Sequence, residues 1–518
     1  MNYFGNRITY RKFFEYIKET ADAFAMAGIK HGDIVTILSL ITPETIYCIY
    51  ALNYIGAVAN MGYLSLSEDE IVQMVEKTKS KAVIVLDVVV EKVMHIQKRL
   101  TSELTIILPV EASMPGMMKA IVKMKKKKRH NDRKQMITYP SFVKKYEVQK
   151  RAEEVLWEEN QPAVLVYTSG TTGEPKGVVL TNDNINAVAF QYRYSGLRFR
   201  TGETILTFMP PFLAIGFCLN VHMPLTIGLE EVISPNPDVV VLTKLYKKCR
   251  PNHFVAAPTN ILQIIDAMKG RSMSHCITLA GGVESMTPQQ EEVVNIYLAE
   301  HGSDAKYITG YGMTELGATV CTNMNRCNQS GSLGIPLPKV NVKIINPETE
   351  EELGYGEKGE ICFSSPSIMQ EYEKDIKETE KAIWIKNGEK WIHTGDLGYV
   401  EKDGFLYFAG RIKRIYIIRG ADGIVYKLFP DRIENVLKKC KGINQAAVNV
   451  VEDEKRVHVA RAYIVVDDSY ECYSDQIEKV LQEELPEYAV PERINIIKNM
   501  PVTEGGKIDY RKLKNYEK

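Results

Sequence analysis

Between residues 8 and 110, short β-branched runs alternate with amphipathic stretches, and this alternation limits the folds open to the chain. DIVTILSL (33–40) and AVIVLD (82–87) read as apolar strands. RKFFEYIKETADAFAMAG reads as an amphipathic helix stopped at Gly28, and PETIYCIYALNYIGAV as a second helix. Strand–helix alternation predicts a layered α/β domain with parallel pairing. Near Gly410 the texture changes. GRIKRIYIIRGADGIVYKLFPDRIENVLKKC, INQAAVNVVEDEKRVHVARAYIVV and the charged helix SDQIEKVLQEEL predict a small α+β domain after a short basic connector. The expected division is a large domain over 1–410, made of several subdomains, and a small one over 411–518.

Composition removes several classes of function. Lys+Arg and Asp+Glu both number 65, so no global electrostatic case for nucleic acid exists. Nine cysteines are scattered without a CxxC pair, which predicts reduced, mostly buried thiols and no zinc site or disulfide frame. The start MNYFGNRITYRKFF lacks the apolar core of a signal peptide, and the run from Ala82 is broken by Asp87 and too short to span a bilayer. A cytoplasmic protein is expected. Residues 111–135 carry a dense basic run, Lys125 to Arg129. Its first reading is a solvated surface excursion. The second is peripheral contact of 117–134 with an anionic membrane, aided by Met117, Met118, Ile121 and Val122.

The stretch YTSGTTGEPKGV (167–178) concentrates glycine and hydroxyl side chains around one lysine. AVLVY (163–167) reads as a strand, and TNDNINAVAFQY opens with capping residues and reads as a helix. The loop is therefore expected between a strand and a helix, with backbone N–H groups cradling phosphate oxygens. It is not a Walker A loop, because Lys176 follows Pro175 and precedes Gly177 where that pattern needs Gly-Lys-Ser/Thr.

YTSGTTGEPKGV resembles the phosphate loop of the adenylate-forming superfamily, which includes acyl-CoA synthetases, amino-acid adenylation domains and luciferases. YGMTE (311–315), TGD (394–396), GRIK (410–413) and GGK (505–507) follow in that family's order, so the likeness covers nearly the whole chain. The acyl-CoA synthetase branch is the nearer likeness. It implies ATP-dependent activation of a carboxylate to an acyl-adenylate, with Mg²⁺, followed by transfer to CoA. The alternative acceptor is the thiol of an acyl carrier protein. A catalytically silent relative is the reading that Lys176, Glu315, Asp396, Arg411 and Lys507 together argue against.

The resemblance also implies roles. Lys507 is the catalytic lysine, assisted by Lys176, Thr168 and Glu315, with Glu315 and Thr168 toward Mg²⁺. The nucleotide contacts are Thr168, Ser169, Gly170, Thr171, Thr172, Gly173, Lys176, Gly281, Gly310, Tyr311 (stacked on adenine), Gly312, Thr314, Asp396 (on the ribose) and Arg411. Lys413 marks a hinge about which the small domain rotates between half-reactions. Gly420 and Gly423 stand at the CoA side, in a loop longer than the usual form by about two residues.

PPFLAIGFCLN (210–220) occupies the acyl-pocket segment, with Leu213 where the family usually has histidine. No acid occurs there to pair with an amino group, and burying an unpaired ammonium would be costly. Phe212, Leu213, Phe217, Val255 and Ala280 are the expected pocket residues for an apolar or aromatic acid. FGNRITY normally follows further residues in the family, so an edge element is expected to be missing or the start internal.

Overall fold

The computed structural model describes all residues except 103, 126–135, 147–151, 169–174, 283–285, 420–424, 454–455, 468–473, 504–505, 514–515 and 517–518; the side chains of 125, 413, 474 and 475 are likewise not described. The predicted strands at 33–40 and 82–87 form as Ile34–Leu38 and Ala82–Leu86, neighbours in a mostly parallel eight-stranded sheet. Both are covered on each side, which explains their unbroken apolar sequence. The amphipathic run forms the helix Tyr10–Met26, capped by Thr9, whose hydroxyl accepts from Lys12 N. PETIYCIYALNYIGAV is helical only over Pro43–Tyr54. Gly56, at φ +74°, turns the chain, and Val58–Met61 becomes a strand beside Ile34–Leu38.

A second, nine-stranded sheet holds Thr204–Thr207, Glu230–Ile233, His253–Ala256, Thr278–Gly281 and Tyr307–Gly312 in parallel. Asn2 and Tyr3 pair with Val232 and Ile233. A five-stranded antiparallel sheet carries Gly359–Ser364, Glu389–Val400 and Leu406–Arg411. The layers are mixed α/β, as the alternation predicts.

One expectation is corrected. The phosphate-loop segment does not lead directly into a helix. Residues 177–181, GVVLT, form a strand antiparallel to Pro162–Tyr167, and the helix Asn182–Arg193 begins only afterwards. Val178, Val179 and Leu180 are buried there, and the capping signal that follows acts where the sequence puts it: Thr181 Oγ1 accepts from Asn184 N and starts the helix. The loop thus lies between two strands.

Past the hairpin Tyr416–Arg419/Val425–Leu428 the chain builds its own core on Ile443–Asp453, Val457–Val466 and Arg493–Ile496, flanked by the helices Pro430–Lys439 and Ser474–Glu484. Arg414 fastens this unit. Its guanidinium pairs with Asp431, meets Glu434 at 2.8 Å and lies 4.3 Å from the ring of Tyr510. Glu434 also accepts from Val448 N at 2.7 Å. These groups are largely buried, so removing the cation would strand two carboxylates. Arg414→Met should therefore destabilise the C-terminal unit by about 3–5 kcal/mol, read as a lowered urea midpoint. An unchanged midpoint would show that the cluster is not a structural support.

Candidate active site

The strand Tyr307–Gly312 ends at the mouth of the nine-stranded sheet, where the backbone passes close to Ala318. A Cβ at Gly312 would lie 1.9 Å from Ala318 O, so only glycine fits this crossing. Thr314 and Glu315 follow in a short 3₁₀ turn. Glu315 is buried, and its Oε1 accepts from the Tyr372 hydroxyl at 2.8 Å. Tyr311 is stacked against Phe363 at 5.7 Å, and its hydroxyl donates to Asp396 Oδ2 at 2.6 Å.

Asp396 and Arg411 are direct partners on adjacent antiparallel strands, and Arg411 Nε lies 3.2 Å from Asp396 Oδ1. Burial raises the Asp396 carboxyl above its ordinary range, and the Arg411 charge opposes this. The turn before Asp396 is held from behind. Gly395, at φ +70°, donates its N–H to Glu360 Oε1 at 2.9 Å, and the other Glu360 oxygen lies 3.0 Å from His393 Nδ1. Glu360, Cys362 and His393 are close enough to resemble a metal site. Burial pushes the Cys362 thiol up, and His393 Nδ1 faces Glu360. Through Glu360 the cluster orients the Gly395–Asp396 turn.

Lys507 sits in a tight turn, in which Thr503 N donates to Lys507 O at 2.7 Å and Gly506 adopts φ +82°. Burial lowers the Lys507 ammonium below its ordinary range, and Arg411 lowers it further; Glu315 and Asp396 act in the opposite sense. The C-terminal lysine is thus within the electrostatic reach of Glu315, Asp396 and Arg411.

Thr168 and Lys176 close the base of the loop. Thr168 N donates to Lys176 O, and Lys176 N donates to Thr168 Oγ1, both at 3.0 Å. Lys176 Nζ pairs with Glu378 and lies 4.7 Å from the centre of the Tyr372 ring. Glu378 stands on the short helix Ile376–Ala382, and Lys176 above all, then Lys381, depress its carboxyl to about 2. Ser169, Gly170, Thr171, Thr172 and Gly173 lie outside the described residues, as do Gly420 and Gly423. Lys413 falls in the 3₁₀ turn Ile412–Arg414.

Glu315 offers a hard oxygen ligand, and Thr168 Oγ1 is already an acceptor for Lys176 N. Among the described residues no set of three acidic, histidine or cysteine ligands gathers at Glu315. One carboxylate completed by phosphate oxygens and water is the usual environment of Mg²⁺, so the residues fit that ion only together with a nucleotide.

The expected acyl segment divides. Phe212 is fully buried against Tyr63 at 4.8 Å, and Phe217 faces Tyr50 and His222, so both are core in this state. Residues Ile215–His222 form a π-helix, a rare conformation often found at functional positions. Ile215 and Ala280 each pack against both large hydrophobic cores and mark the seam between them. A Cβ built on Gly282 would lie 3.2 Å from Ile215 and 3.8 Å from Val255. Leu213 is half-buried against the larger core. His253 lies elsewhere, tied to Thr278 and Glu203 at 3.0 Å each. Gly281 and Gly310 line the closely packed strand ends, where a Cβ would meet Tyr307 and Thr319.

Sequence reading missed Glu378, Tyr372, Glu360 and Ile215. EYEKDIKETEK gives no local sign that one of its acids faces Lys176 across 202 residues. Ile215 sat within the segment singled out but was passed over for its aromatic neighbours.

The chain is similar to known proteins along nearly its whole length. The chain is 26% identical to a long-chain-fatty-acid–CoA ligase of Bacillus subtilis (strain 168), over 99% of this chain and 90% of that protein. It is 25% identical to a 4-coumarate–CoA ligase of Humulus lupulus, over 97% and 88%. ATP-bound MatB from Rhodopseudomonas palustris superposes with a TM-score of 0.82 at 18% identity, covering 99% of this chain and 95% of that one. The AMP-binding enzyme family matches residues 1–373 and its C-terminal domain matches 432–507, so the chain belongs to the AMP-binding, adenylate-forming enzymes.

Proposed function

We propose that this enzyme activates a carboxylic acid with an apolar body to an acyl-adenylate and then transfers the acyl group to CoA. The observation that supports the reading is the joined pair Asp396–Arg411, with Tyr311 on Asp396 and with the buried Lys507 in the electrostatic range of Glu315, Asp396 and Arg411. In the first half-reaction a carboxylate oxygen attacks the α-phosphorus of ATP, and pyrophosphate leaves. An anion approaches an anion, so neutralisation and alignment dominate the barrier. Lys507 stands between the two. Lys176 holds the departing phosphates, and Asp396 accepts from the ribose hydroxyls while Arg411 fixes its carboxylate. Tyr311 supports the adenine. Bound at Glu315 with the phosphates, Mg²⁺ would supply charge neutralisation. In the second half-reaction the CoA sulfur attacks the acyl carbon, AMP leaves, and the thiol proton passes to solvent.

Ile215, Val255, Ala280 and Leu213 form the acyl wall in this reading. Their apolar character, and the fatty and coumaric acids in the names of the relatives, favour such an acid. We place the pivot at 411–413, where the third sheet ends and the Arg414 cluster begins. A panel of carboxylates with ATP and Mg²⁺, with and without CoA, tests the function by product mass. An acyl-CoA from an apolar acid is expected. An adenylate that discharges only onto a carrier protein would transfer the second step to that acceptor, and products from amino acids alone would contradict the pocket.

Lys507→Ala should abolish pyrophosphate release and spare thioester formation from supplied acyl-adenylate. Loss of both steps equally would remove the assigned role. Because burial lowers Lys507, its charge is complete below its folded pKa and is lost as pH rises through that value, which lies below the ordinary 10.5. Adenylation should therefore fall on an alkaline limb that the thioester step from supplied adenylate lacks. Glu378 competes with phosphate for Lys176. Glu378→Gln should tighten ATP binding by roughly two- to five-fold, the scale of a solvent-screened pair, in equilibrium dialysis. No change, or weaker binding, would show that Lys176 does not exchange partners.

A further inference from the structure

We infer that the helix Gly116–Lys125 is an interfacial helix that seats the enzyme on an anionic lipid surface. A helix lying on a soluble body turns apolar residues inward and lysines outward. Here three large apolar residues also face outward. Lys119 and Val122 are the part-buried residues, and Lys119 Nζ donates to Ala112 O at 2.6 Å. Met117, Ile121 and Met124 recur at helical spacing on the far side, 80%, 43% and 79% exposed. The stripe is rigidly mounted. Just before the helix, Ser113 Oγ donates to the buried Glu44 at 2.5 Å, and Asn6 Nδ2 donates to Ser113 O at 2.9 Å.

Charge identifies the occupant. Residues 117–134 carry nine Lys or Arg against one acid, Asp132, in a chain whose net charge is zero. Residues 126–135 contribute to this reading through their sequence alone. A nucleic acid would match the cations and leave the methionines in water. An apolar protein groove would match the methionines and leave the cations unpaired. An anionic bilayer meets both, with acyl chains under the stripe and headgroups around the lysines. No helix among the described residues is long and apolar enough to cross a membrane, so the contact is one of surface seating.

Co-sedimentation of the full chain with phosphatidylcholine vesicles, with and without 30 mol% phosphatidylglycerol, tests this. Binding to the anionic vesicles is expected to be at least about tenfold stronger than to neutral ones, and to weaken about tenfold between 0.1 and 0.5 M salt. The triple variant Met117→Ser, Ile121→Ser, Met124→Ser should lose about tenfold, and Lys123→Glu roughly threefold, with melting temperatures unchanged because these side chains are exposed. Equal binding to both vesicle types, or undiminished binding by the triple variant, would overturn the inference. So would failure to pellet with vesicles, whether or not the chain binds nucleic acid or associates with itself through this face. Pyrophosphate release by the same preparations separates loss of the membrane contact from loss of catalysis.

Discussion

The pairing of Asp396 with Arg411 across two adjacent strands is the contact on which the site depends. It lies at the last edge of the large unit's antiparallel sheet and begins a line of polar contacts into the C-terminal unit. Arg411 N donates to Asp431 Oδ2, Asp431 pairs with Arg414, and Arg414 rests on Tyr510. Tyr510 is three residues beyond Lys507. A displacement of the small unit is therefore felt at Lys507 and at Asp396 together.

The site's charges are also mutually engaged. Glu315 accepts from Tyr372, Tyr372 lies under Lys176, and Lys176 holds Glu378. Asp396 is shared between Tyr311 and Arg411. Each interaction occupies a group that the family's chemistry would offer to a nucleotide, so binding would be an exchange of partners. Such exchange keeps buried charges paired before substrate arrives, which matters because an unpaired buried charge is costly.

Much of this was legible in the sequence because it depends on local order. Strand–helix alternation gives the layered α/β architecture, and the ordered motifs give the family. What escaped was set by distance or by competition. The strand Gly177–Thr181 was hidden because its pairing partner Glu371–Tyr372 lies far along the chain, while the capping signal at Thr181 acted as written. The second helix stopped early because Gly56 turns the chain. Tyr372 and Glu378 reach the phosphate lysine because the strand Glu371–Tyr372 returns to pair with Val178 and Val179 in the first sheet, and Arg414 finds its carboxylates on the helix that follows it. Phe212 and Phe217 looked like pocket walls by composition, but large rings fill cores as readily as they line pockets. The methionine face of Gly116–Lys125 was visible as apolar residues near a basic run. Its outward orientation was not.

Acid-dependent exchange of labelled pyrophosphate into ATP, measured without CoA, tests the central claim most directly. It reports reversible attack of the carboxylate on the α-phosphate and no later step. The account predicts exchange that requires an acid with an apolar body and disappears in Lys507→Ala. Formation of ADP and phosphate, or exchange that continues without any acid, would contradict it.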